Sequence, residues 1–209
     1  EMCIRDREMA SLGAKVLHSR CVEIAKKYGV ELLVCSSLNR NSGTMVREKT
    51  KMEKMLISGV AADKNVAKIR VAGLGNDPES TFRLLNLLDR NNLNIDVMIQ
   101  SLGKDGTKSV SFTVAKPDML RTIDVLNDNK DLLGIKKLDY DENVAKISVI
   151  GAGVRSHSGV AAKMFGALAN AGINTEMVTT SEIRITALID EAYADQAMRA
   201  IHETFLERV

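Results

Sequence analysis

"LNIDVMIQS", from Leu93 to Ser101, and "INTEMVTTS", from Ile173 to Ser181, decide how this chain is read. Each runs apolar residue, Asn, one residue, acid, two apolar residues and a short polar end. The likeness extends upstream: Val66-Ala67-Lys68-Ile69 recurs as Val144-Ala145-Lys146-Ile147. The offset is 144 − 66 = 78 at these blocks and 174 − 94 = 80 at Asn94 and Asn174. Between the anchors each copy carries a glycine loop, Gly73-Leu74-Gly75 or Gly151-Ala152-Gly153, and then a helical pattern. A period this long exceeds the roughly 20 to 50 residues of solenoid repeats and is that of a duplicated small domain.

Working outward, the first copy predicts a strand at 67–72, a helix at 80–90 and a strand at 94–100. The turn Gly103-Lys104-Asp105-Gly106 follows, then a strand at 110–114, a helix at 118–127 and a strand at 136–140. The order is β-α-β-β-α-β. The second copy predicts strands at 145–150, 174–179 and 183–189 and helices at 160–171 and 192–205, with no last strand of its own. A short strand at 56–61, ended by the turn residues Asp63-Lys64-Asn65, is free to fill that gap and would interlock the units. The fold class is α+β: two ferredoxin-like units in tandem, each with helices on one face of an antiparallel sheet. Ahead of them, apolar spacing predicts a helix over 8–28 stopped by Gly29, then a strand at 32–35. A turn cluster at 39–43 and a charge-dense connection at 47–54 complete the amino-terminal part. The expected divisions are residues 1–47, a linker at 48–54, a first unit at 55–142 and a second at 143–209.

Composition narrows the function. A net charge of +2 with scattered Lys and Arg, three Tyr, four Phe and no Trp gives neither a basic stripe nor a stacking platform for nucleic acid. No apolar run reaches the roughly 18 residues that span a bilayer, so no membrane segment is expected and the location read is cytoplasmic. Cys3, Cys21 and Cys35 fit no disulfide framework or zinc spacing and read as free thiols. His18, His157 and His202 have no metal-ligand spacing, so no metal site is expected.

The glycine loops, each between a strand and a helix, allow two chemistries. A dinucleotide would place its phosphates at the helix N-terminus, but the third glycine of the fingerprint is missing from Gly151-Ala152-Gly153-Val154-Arg155-Ser156. A small zwitterion suits them better: helix amides attract a carboxylate, while Asp77, Asp96 or Gln100 can accept from an ammonium. No Walker loop, nucleophile elbow or paired Cys and His is present, so no catalytic residue is assigned.

Several blocks together resemble the C-terminal part of aspartate kinase. They are "ASLGAKVLHSR" at 10–20, "CSS" at 35–37 with "GT" at 43–44, "IDVMIQS" at 95–101 with "SFTV" at 111–114, and "KISVIGAGV", "GVAAKMFGALANAGIN" and "TSEIRI" within 146–185. The likeness covers nearly the whole chain from Glu8; Glu1 to Arg7 do not follow the pattern. In that family an amino-acid-kinase domain makes β-aspartyl phosphate from ATP, with Mg, and L-aspartate, and two ACT domains bind end-product lysine, threonine or both. The resemblance implies that residues 1–47 hold the last helix and strand of the kinase domain and that the repeat is the ACT pair. The family's Lys-Phe-Gly-Gly, aspartate-binding and Thr-Asp-Pro-Arg segments are absent, so this chain is expected to hold no ATP and to be inactive alone. It is expected to be a fragment, or the counterpart of a separately made regulatory subunit.

By the same resemblance, the effector site forms between the first ACT domains of two subunits, in a homodimer joined through its ACT domains. Its residues here are the loop Asn76, Asp77, Pro78, Glu79, Ser80 and Thr81, then Asn94, Asp96 and Gln100, with Val160, Ala161 and Ser181 on the corresponding face of the second unit. Relatives read Asp-Lys-Pro-Gly-Glu-Ala where this loop has Asn76 to Thr81. Glu79 thus replaces a glycine that permits positive φ, and Asp77, one position later, is free to serve as the family acid. Two alternatives stand beside effector binding: an ACT pair serving assembly alone, and a nucleotide-dependent enzyme using the glycine loops.

Overall fold

The computed structural model describes residues 17–35, 43–46, 57–151, 154 and 159–206. They fold as two compact units: one contiguous, Lys64–Ala145, and one discontinuous, from residues up to Asp63 and from Lys146 onward. The strands are β1 (Leu32–Val34), β2 (Thr44–Val46), β3 (Gly59–Leu74), β4 (Met98–Leu102), β5 (Lys108–Ala115), β6 (Lys137–Ile150), β7 (Met177–Thr180) and β8 (Arg184–Asp190). The helices are α1 (Ser19–Tyr28), α2 (Pro78–Arg90), α3 (Met119–Asp128), the single turn α4 (Lys130–Leu133), α5 (Val160–Asn170) and α6 (Ala194–Leu206).

In the contiguous unit the strand order is β4-β5-β3-β6, that of a ferredoxin-like sheet. Alternation builds its core: Ala67, Ile69 and Val71 of β3 and Val110, Phe112 and Val114 of β5 are buried, because successive strand side chains point to opposite faces. Ile69 lies opposite Phe112 and Val71 opposite Val110. On α2, Ser80, Leu84 and Leu88 recur every fourth residue and form the buried stripe. The β3–β5 register shifts between Ala72 and Leu74, and Gly73 takes φ 91° there. A Cβ at Gly73 would lie 2.5 Å from Lys136 Cβ, so glycine is required on both counts.

In the discontinuous unit the order is β3-β6-β8-β7, with Gly59–Asp63 supplying the edge strand beside β6. Ser58 N–H donates to Ile150 carbonyl oxygen at 2.7 Å where this edge begins. Met164 and Leu168 of α5, Ala197 and Ile201 of α6, and Ile147, Val149, Ala187 and Ile189 of the sheet are buried. Two polar pairs lie among them, with Lys146, Ser148 and Thr186 buried and Asp63 half-buried. Lys146 Nζ is 3.3 Å from Asp63 Oδ2, and the Ser148 and Thr186 hydroxyls are 2.8 Å apart. Further upstream, β1 pairs antiparallel with β2, Leu33 opposite Met45.

Several boundaries differ from those expected. Asp63-Lys64-Asn65 is no turn: β3 runs unbroken through it, and the division between units falls inside the strand, at Asp63 and Lys64. The segments expected at 136–140 and 145–150 are likewise one strand, β6, divided between units at Ala145 and Lys146. Two expectations missed elements altogether, β2 and the turn α4. The helix expected from Glu8 is described from Ser19, and the charged connection at 48–54 lies outside the described residues. No helix of the described residues is long and apolar enough to cross a membrane.

Candidate functional site

The expected site residues of the contiguous unit gather where β3 ends and α2 begins. Asp77 is the N-cap of α2, with Pro78 at the first helical position. Its Oδ1 accepts from Ser80 N–H at 2.8 Å, and its Oδ2 accepts a very short hydrogen bond from the Ser80 hydroxyl. The Ser80 hydroxyl, followed by the backbone amides of the cap, holds the Asp77 carboxyl below its ordinary range. Gly75 makes room for this cap, since a Cβ there would lie 2.5 Å from Asp77 Oδ2.

Three further contacts fix the loop. The Thr81 hydroxyl donates to Gln100 Oε1 at 2.6 Å, tying the first turn of α2 to β4. Lys108, at the start of β5, donates from Nζ to the Asp77 carbonyl at 2.7 Å. Arg83 donates to Glu79 one turn along the helix, an ion pair between exposed side chains that raises the arginine pKa. Glu79 lies within α2, and Asn92 is the only non-glycine with positive φ among the described residues. The glycine expected to be needed at position 79 for positive φ is therefore not required by this backbone.

Asn94 and Asp96 precede β4 instead of lying on it, as does Asn174 before β7. The cause in the first copy is Thr113. Its hydroxyl accepts from Val97 N–H at 3.1 Å and its carbonyl accepts from Asp96 N–H at 3.1 Å, so a side chain replaces one rung of the regular ladder. Asn76 and Asn94 are exposed. In the discontinuous unit Val160 is buried at the start of α5, Ala161 is half-buried, and Ser181 is exposed at the β7–β8 turn. There Ser181 N–H donates to Arg184 carbonyl oxygen at 2.7 Å.

Lys108 escaped the sequence reading, because nothing in spacing or composition marks one lysine at the end of a hairpin as a loop contact. The turn next to it, Gly103 to Thr107, is closed by Asp105 accepting from Thr107 N–H and hydroxyl at 3.1 and 2.8 Å. Chemically, the α2 end offers first-turn amides, a carboxamide, a hydroxyl and one ammonium, with the Asp77 carboxylate held by Ser80 and Glu79 paired with Arg83. That set suits a small zwitterion. A phosphate brings only negative charge to a helix N-terminus already capped by the Asp77 carboxylate, whereas a zwitterion brings an ammonium beside its carboxylate. Among the described residues no cluster of His, Cys, Asp and Glu could hold a metal.

Residues 147–205 match the ACT domain family. An aspartokinase of Pseudomonas aeruginosa is 39% identical over 201 residues, which are 95% of this chain and 49% of that protein. The chain spans about half the length of the curated relatives it matches. Among solved structures, the ligand-free regulatory subunit of aspartate kinase from Thermus thermophilus is 32% identical, with a TM-score of 0.68. The match covers 72% of this chain and 99% of that subunit. Aspartokinase III of E. coli in complex with lysine and aspartate shares the fold at 24% identity and a TM-score of 0.77, over 98% of this chain and 45% of that one. The duplicated α+β unit and relatives that agree along nearly the whole chain lead to one conclusion: the chain belongs to the aspartokinase family and corresponds to its regulatory region with ACT domains.

Proposed function

We propose that this region binds an end-product amino acid, lysine or threonine, at the α2 end of the contiguous unit and relays the binding to an aspartate kinase domain. That kinase domain would form 4-phospho-L-aspartate from ATP and L-aspartate. The observation that carries the reading is the Thr81–Gln100 hydrogen bond beside the N-terminus of α2. It places a carboxamide next to amides whose partial positive charge favours a carboxylate. The lysine-bound relative has the same fold, which supports an amino acid as ligand.

Dimerisation through the ACT units belongs to the same reading. β4 is an edge strand, and Leu102 on it is exposed, as is Phe82 beside Thr81. An edge with exposed apolar side chains favours pairing with a second copy. Ile24, Tyr28, Leu33 and Met45 are exposed on α1, β1 and β2 and suit contact with the kinase domain. The internal matching of Asp77 and Glu79 favours a second reading, in which the pair serves assembly alone.

Isothermal titration of the chain with L-lysine and then L-threonine separates the two. Saturable heat that is lost in Gln100→Ala supports an effector site. A folded dimer that gives no heat with either amino acid overturns effector binding and leaves the assembly role.

A further inference from the structure

We propose that the Asp105–Gly106 peptide is the site at which this chain converts spontaneously to isoaspartate, and that the Thr107 hydroxyl restrains the conversion. Water is the one co-reactant.

Asp105-Gly106 is the only Asp-Gly pair in the sequence, and no Asn-Gly pair is present. A glycine after the acid leaves the attacking backbone nitrogen without a neighbouring side chain to block its approach. Both residues are exposed, and nothing lies within 4 Å of where a Gly106 Cβ would stand. In the reaction the Gly106 nitrogen bonds to Asp105 Cγ. The Cγ–OH bond of the protonated carboxyl breaks, and the hydroxyl takes the amide proton to leave as water. Water then opens the five-membered imide. Attack at Cγ restores aspartate, whereas attack at the main-chain carbonyl leaves the backbone running through Cβ and Cγ as isoaspartate.

The turn works against both reacting groups. The Thr107 hydroxyl lies 2.8 Å from Asp105 Oδ1 and 3.0 Å from Oδ2, and the Thr107 N–H donates to Oδ1 at 3.1 Å, so the carboxylate is pinned toward Thr107. The same N–H and then the same hydroxyl hold the Asp105 carboxyl below its ordinary range, and Lys136 acts in the same direction. An ionised carboxylate has no hydroxyl to lose. The nucleophile is held as well, since Gly106 N–H donates to the Gly103 carbonyl oxygen at 3.1 Å. Gly103 is needed for this arrangement: a Cβ there would lie 2.6 Å from Asp105 Oδ1. The turn closes the hairpin at the Leu102–Lys108 pair. A methylene added at Asp105 therefore falls just ahead of the lysine that holds the Asp77 carbonyl.

The test incubates the folded chain, Thr107→Val and Thr107→Ser at physiological temperature, with circular dichroism to verify each fold. Enzymatic methylation of isoaspartyl groups counts the product and peptide mapping locates it. The wild-type chain unfolded in guanidinium chloride is the unrestrained reference and needs no variant. Isoaspartate is expected at Asp105, forming about threefold or more faster in Thr107→Val, which loses one hydrogen-bonding hydroxyl. Thr107→Ser is expected to match the wild type, and the unfolded chain to exceed it. Equal rates in the folded wild type, Thr107→Val and the unfolded chain overturn the restraint. Product at other residues with none at Asp105 overturns the site.

Discussion

Replacing Lys146 with Met should destabilise the chain by about 3–5 kcal/mol. The ammonium is 3.3 Å from Asp63 Oδ2, and the two side chains retain 8% and 15% of their exposure. At an effective dielectric of about 20 the attraction at that distance is about 5 kcal/mol. Desolvation of each ion costs several kcal/mol, so the intact pair is close to neutral against an apolar pair of the same shape. The single substitution is different: it leaves the Asp63 carboxylate largely out of water without its ammonium. Asp63→Leu combined with Lys146→Met should therefore recover most of the loss. Urea unfolding followed by far-ultraviolet circular dichroism measures both, since the chain has no Trp to report by fluorescence. The half-buried counterpart Lys68→Met serves as reference, expected to cost less. A Lys146→Met cost below about 1 kcal/mol, or a double variant no more stable than the single, would refute the argument from desolvation.

Phe112→Ala, which empties the centre of the contiguous unit at a residue 1% exposed, should cost about 3–5 kcal/mol in the same urea assay. Ser148→Ala or Thr186→Val alone should cost about 1–3 kcal/mol by leaving one buried hydroxyl unpaired, whereas the double substitution should be nearly neutral; equal costs for singles and double would contradict the pairing. Because the Asp77 carboxyl is held below its ordinary value of 3.8, its contribution is full above that pH and is lost as the pH falls through the lower, folded value. Asp77→Asn should accordingly flatten the loss of melting temperature below pH 4, and an unchanged acid limb would show that the cap does not contribute.

The repeat was legible because burial recurs in register: Ala67 and Ile69 in one copy and Ala145 and Ile147 in the other are all fully buried. Helix α2 was legible from Leu84 and Leu88, although its start lies two residues earlier than periodicity placed it. The Asp77-Pro78 pair caps the helix before the first apolar position. Asp63-Lys64-Asn65 misled because its composition is that of a turn. The Asp63 carboxylate is matched by Lys146, far along the sequence, and local composition carries no sign of that partner. A sign did exist at longer range, since Asp63-Lys64-Asn65 is matched by Asp141-Glu142-Asn143 directly ahead of the two Val-Ala-Lys-Ile blocks. The start of β4 was misplaced for a similar reason, the hydroxyl of Thr113 standing in for a backbone partner of Val97. At the candidate site, Asp77 and Gln100 were legible as polar groups beside the glycine loop and family resemblance added the rest of the loop, while Lys108 required the three-dimensional placement of a hairpin end.

The edge strand Gly59–Asp63 constrains how a gene could express this region separately. An internal translation start after residue 63 would encode the whole contiguous unit but leave its companion one strand short. The amides and carbonyls of β6 between Lys146 and Ile150, residues buried on both faces, would then form an open edge inviting strand addition from other polypeptides. A viable start codon must therefore lie upstream of Ile57, and an open reading frame that begins later would encode an aggregating product.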